Sequence, residues 1–147
     1  MARMKNWPEG YQGEIEEILG APFERGGNIK LGFNFDTVPE ARLLLKEIRL
    51  KQKQLRLVKK NANQEMREIR AVYKVKREEI SDSGAFTGLL FGKRTAGRER
   101  QRKKSALSQN QKEHLLPYEN VKNSIDQINM QFDGVKLQVE KFIAENS

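Results

Sequence analysis

The stretch YENVKNSIDQINMQFDGVKLQVEKF, residues 118–142, decides the architecture. Tyr118, Val121, Ile125, Ile128, Phe132, Val135, Val139 and Phe142 follow alternating steps of three and four without a miss. That period holds one apolar stripe along one side of a helix and is the pattern of a coiled-coil seam. Gly134 lies between seam positions and costs about 1 kcal/mol relative to alanine. The residues just upstream extend the same helix, so it is expected over 104–145. A break is expected near Pro117, which lacks an amide proton and crowds the preceding turn.

A second stripe precedes it. Thr37 to Glu40, TVPE, has the form of a capping box, with Pro39 in the first turn where no amide is needed. The helix that starts there is expected over 38–80, a span free of glycine and of any later proline. Ala41, Ile48, Leu55, Ala62 and Ile69 recur at steps of seven, with Leu44, Val58, Met66 and Val72 filling the stripe; Lys51 interrupts it. Between the helices, SDSGAFTGLLFGKRTAG (81–97) holds Gly84, Gly88, Gly92 and Gly97, which predicts a connecting loop over 81–103. Two rods of matching length joined by a loop specify an all-α fold: a long antiparallel two-helix coiled-coil hairpin. The basic stretch 42–60, with eight cations against Glu47, then faces the mildly acidic stretch 124–142.

Residues 1–36 form a small N-terminal arm, apart from the hairpin of 37–147. Tyr11, Ile15 and Leu19 recur at steps of four and predict two helical turns, ended by Gly20 and Pro22. In GGNIKLGFNFD, Ile29, Leu31, Phe33 and Phe35 alternate with polar or small residues, which predicts one short strand over 29–35. A lone strand must pair or pack. It can lay its apolar face on the coiled coil, fold back on its own arm, meet a second copy, or dock to a protein partner.

Composition narrows the function. A third of the residues are charged and 37% are hydrophobic, which suits helices that each bury one stripe. No cysteine is present, so disulfides, thiolate nucleophiles and sulfur-based zinc sites are excluded. The single histidine, His114, reads as a residue at the helix seam or its edge. GLLFGKRT is no phosphate-binding P-loop: Gly88 stands one residue too close to Gly92, and Arg94 replaces the magnesium-binding hydroxyl. Neighbouring carboxylates such as Glu78 and Glu79 point about 100° apart on a helix and read as solvated charges. The chain reads as a non-enzyme with no metal, cofactor or small-molecule substrate. No apolar run reaches the roughly 20 residues that span a bilayer. The N-terminus lacks a secretory core, and a cytoplasmic location is the expectation.

The marked feature is charge. Lys93, Arg94, Arg98, Arg100, Arg102, Lys103 and Lys104 crowd into twelve residues against Glu99 alone. Such density disfavours compact folding and points to an anionic partner, with nucleic acid the leading expectation. No base-reading motif accompanies it. Phe86, Leu89, Leu90 and Phe91 form an apolar tip beside these charges. They suggest an anionic membrane surface as the alternative partner. Leu43, Leu45, Leu50, Leu57, Leu137 and Ile143 lie off the main seams and suggest that two hairpins associate as a homodimer. The resulting expectation is a coiled-coil scaffold whose basic loop engages a polyanion.

Overall fold

The computed structural model describes residues 7–22, 33–91 and 93–147, apart from the side chains of 82–96. Three helices are present among the described residues: α1 (Tyr11–Leu19), α2 (Val38–Phe91) and α3 (Lys93–Asn146). They divide between two compact units. Unit 1 comprises Met1–Ala62 and Tyr118–Ser147, and unit 2 comprises Asn63–Pro117.

α1 matches its sequence-based bounds because both ends carry a glycine in the left-handed region. Gly10 has φ 92° and Gly20 φ 68°, conformations that cost a residue without a Cβ nothing. The Gly20 amide donates to the Glu16 carbonyl at 2.8 Å and closes the helix. α2 starts at the capping box. Thr37 Oγ1 accepts from the Glu40 amide at 3.3 Å, while the Glu40 carboxylate reaches back to the Asp36 amide at 2.9 Å rather than to Thr37.

Unit 1 is built on three helical segments. Tyr11, Ile15 and Leu19 of α1 share one core cluster with Ile48, Leu55, Val58 and Ala62 of α2 and Val121, Ile125, Ile128 and Phe132 of α3. Tyr11 packs edge-on to Tyr118, with ring centroids 6.0 Å apart. A second cluster joins Ala41, Leu45 and Val139, with Phe35, Phe142 and Ile143 against it. The eight α3 seam residues from Tyr118 to Phe142 are all buried or half-buried. The α2 and α3 segments of this unit run antiparallel: Arg49 meets Glu140 at 3.8 Å and Lys59 meets Asp126 at 2.6 Å.

The α2 seam differs from its expected form. Its first row is as read, Ala41, Ile48, Leu55, Ala62 and Ile69. The row beside it is Leu45, Gln52, Lys59, Met66 and Tyr73, four residues on from each, rather than the row through Leu44, Lys51 and Val58. Val58 is buried and Leu44 half-buried nonetheless, because both pack in the cluster that α1 completes. Gln52, only 2% exposed, donates to the Asn129 carbonyl at 3.2 Å and to Asp133 Oδ1 at 2.8 Å. Leu45 and Ile143, expected on an outer face, instead belong to the second cluster.

Asp133 gives unit 1 a pH dependence. The Gln52 amide, as the largest influence, holds its carboxyl below the ordinary 3.8; desolvation opposes it, and Lys136 and Arg56 add to the lowering. Because the folded-state value is depressed, this stabilisation is complete above the ordinary value and is lost as pH falls through the folded one. Wild type is therefore expected to keep its melting-temperature advantage over Asp133→Asn from neutral pH down to about pH 4 and to lose it as the pH is lowered further, below the ordinary value. An unchanged difference between the two proteins across that range would contradict the assignment. Gly134, exposed on α3, has open space within 4 Å of the point where a Cβ would stand, and no positive φ. Gly134→Ala is expected to stabilise the fold by about 1 kcal/mol in urea titration.

Unit 2 has a thinner seam. Met66, Tyr73 and Leu115 are buried, while Val72, placed in the stripe by sequence, is 53% exposed. Stepping four from Ile69 brings Tyr73 inward in its place. Its hydroxyl lies 3.5 Å from His114 Nδ1, and the rings meet edge-on at 6.0 Å. His114 itself is exposed, at the edge of the seam. Arg77 donates to Gln111, so these segments also run antiparallel.

Three expectations need correction. The loop over 81–103 is helical at every described position, with Gly92 alone outside the description. Each helical glycine costs about 1 kcal/mol, a penalty rather than a prohibition, and the Arg, Lys, Gln and Glu residues that follow have propensities close to alanine. α3 also runs unbroken through Pro117, which removes one helical hydrogen bond but sits half-buried beside Leu115. No strand occurs among the described residues. Residues 29–32 lie outside the description. Phe33 and Phe35 have no regular secondary structure and pack on Phe132 and Phe142, with centroids 6.3 and 4.9 Å apart. Both rings are half-buried against α3.

Candidate anion-binding site

The first four turns of α3 assemble from residues that favour helix, and the helix sorts their charges. Cations three or four apart share a face, and cations two apart do not. Arg98 and Arg102 lie on one side, whereas Arg100 and Lys104 turn to another, with Lys103 between the two sides and nearer to Arg100. Dispersal of this kind relieves the crowding that made a loop the natural expectation.

Arg100 and Lys104 border a shallow cavity of about 710 Å³ in unit 2. Gly97, Gln101, Ser105 and Ser108 continue its wall at helical steps, and Gln109 and Lys112 close it. Three cations therefore face one concavity, joined by two amides and two hydroxyls, with no carboxylate among the described residues of the wall. Arg100 is half-buried, and its Nε is shielded from solvent with no hydrogen-bond partner among the described residues. Leaving such a donor unmet costs about 1–3 kcal/mol, which an oxyanion reaching it would recover. Neither serine hydrogen-bonds to Lys104 or Lys112 among the described residues. The wall is suited to holding negative charge in place.

Of the seven cations singled out by sequence, Arg100 and Lys104 come together here. Arg98, Arg102 and Lys103 are exposed elsewhere on the helix. The side chains of Lys93 and Arg94 lie outside the description, as do those of the apolar tip, Phe86, Leu89, Leu90 and Phe91, whose backbone belongs to α2. Sequence reasoning missed Lys112, Ser105 and Ser108. The signal was the spacing Gly97, Gln101, Ser105, Ser108, Lys112, a run of small and polar residues at steps of four, four, three and four.

Among the described residues no helix is long and apolar enough to cross a membrane, and no three metal-ligating side chains converge. Compared with known proteins, the chain matches no family model, no curated protein and no solved structure.

Proposed function

We propose that the chain is a non-enzymatic helical hairpin whose basic N-terminal part of α3 binds a polyanion, with nucleic acid the leading ligand. The observation that carries this reading is the cavity wall in which Arg100, Lys104 and Lys112 converge, with no carboxylate among its described residues. The antiparallel side-chain pairs within each unit support the hairpin. Guanidinium and ammonium groups neutralise phosphates regardless of base, and the serine and glutamine side chains add donors that fix a backbone without reading sequence.

The test is fluorescence-anisotropy titration of the full chain with duplex and single-stranded oligonucleotides at several salt concentrations. Three phosphate contacts predict a logarithmic salt slope of about −2.7 on duplex from this site alone. The triple variant Arg100→Ala/Lys104→Ala/Lys112→Ala is expected to weaken binding by about tenfold or more and to flatten that slope. Lys46→Ala/Lys53→Ala, equal in kind but in unit 1, should change affinity by no more than about twofold. Binding that is tight and indifferent to salt, or a triple variant that binds like wild type, refutes the proposal.

A further inference from the structure

Three successive heptads of α2, RLLLKEI (42–48), RLKQKQL (49–55) and RLVKKNA (56–62), repeat one outward-facing pattern. Leu43, Leu50 and Leu57 recur at steps of seven and are 66%, 56% and 54% exposed. Lys46, Lys53 and Lys60 recur in the same steps beside them. All three are exposed and form no ion pair among the described residues. A helix has 3.6 residues per turn, so only a seven-residue repeat keeps such rows aligned with another helix lying alongside. A bilayer or a phosphate backbone makes no such demand.

α3 carries the counterpart within the same unit. Met130 and Leu137, seven apart, are 72% and 67% exposed. Asp126, Asp133 and Glu140 recur at steps of seven beside them. Each meets a cation of its own chain, yet their side chains remain 52%, 60% and 50% exposed and can accept a second.

The geometry points to a second copy of this chain as the occupant of the α2 face: α2 of one copy lies antiparallel against α3 of the next. One alignment satisfies every row. Leu50 falls opposite Leu137 and Leu57 opposite Met130. Lys46, Lys53 and Lys60 fall opposite Glu140, Asp133 and Asp126. On the other flank, Glu47 falls opposite Lys141. The two faces belong to different helices, so the contact is heterologous, and each copy keeps one free face for a further copy. This inference uses unit 1 alone and stands apart from the polyanion reading.

Sedimentation equilibrium on nucleic-acid-free protein tests it. Wild type at low salt should exceed twice its 17.0 kDa mass as concentration rises, and should dissociate as salt screens the charged rows. Leu50→Glu/Leu57→Glu removes the α2 face and Met130→Glu/Leu137→Glu the α3 face. All four sites are exposed, and unchanged helicity by circular dichroism establishes that each variant is folded. Each variant alone should remain at 17.0 kDa, and an equimolar mixture should reach about double that mass and stop. Three results overturn the proposal. One is wild type that stays monomeric at about 100 µM and above, including the case in which it instead binds anionic phosphatidylserine vesicles through Leu50 and Leu57. Another is a Met130→Glu/Leu137→Glu variant that still self-associates, which would mean α2 pairing with α2. The third is a mixture that remains monomeric.

Discussion

Phe132→Ala is expected to lower the unfolding free energy by about 3–5 kcal/mol, among the largest losses available to a single truncation here. Phe132 is fully buried and lies where two layers meet. Its helix face joins the seam with Ile128 and the α2 residues of the core, and its ring meets Phe33 of the arm. The ring therefore supports both the helix pair and the segment laid across it. Helices anchored by seam contacts above and below cannot close on the vacated space, so most of the cavity persists and its cost adds to the lost transfer free energy. The melting temperature should fall by roughly 10 °C or more. Chemical denaturation followed by circular dichroism measures the loss. Met130→Ala, two residues away but 72% exposed, should stay within about 0.5 kcal/mol of wild type. A loss below about 1 kcal/mol for Phe132→Ala would show that the ring is not enclosed as described.

Ile15→Asp should detach α1 altogether. Ile15 is fully buried at the centre of a helix of nine residues. A helix shorter than about 12 residues has little stability of its own in water, so α1 exists because Tyr11, Ile15 and Leu19 are docked. A carboxylate at the middle position faces desolvation without a partner, worth several kcal/mol. The chain avoids that penalty by releasing the segment. Hydrogen exchange should show α1 amides losing protection while the seam of α2 and α3 in unit 1 keeps it. Glu17→Ala, on the exposed side of α1, should leave protection unchanged. Persistent protection of α1 in the aspartate variant would rule out this dependence on docking.

How far the sequence could be read depended on whether the deciding partner was local. The α3 seam was legible because every position from Tyr118 to Phe142 is apolar and evenly spaced. The bounds of α1 were legible because glycine terminates it. The second row of α2 was not, since Gln52 and Lys59 are inward only by virtue of Asp133 and Asp126, far away in the chain. Val58 and Leu44 made the wrong row look right because both pack in the core cluster that α1 joins, which no spacing rule contains. The helical backbone of 81–91 and 93–103 was misread because glycine count outweighed the tolerance of its neighbours. At the cavity, counting cations along the chain found Arg100 and Lys104. Only their helical face would have found Ser105, Ser108 and Lys112.

The buried amide of Gln52 has a consequence for the alignment of α2 on α3. With Ala41, Ile48, Leu55 and Ala62 at equal intervals, α2 could slide one heptad along its neighbour and exchange one small or aliphatic side chain for another. Sliding would set Leu45 or Lys59 in the place that Gln52 holds, and the amide's bonds to the Asn129 carbonyl and to Asp133 would be lost, at about 0.5–1.5 kcal/mol each. A single polar side chain thus acts as an index mark on an otherwise repetitive track. It selects one stagger among several that apolar contact alone would rank almost equally.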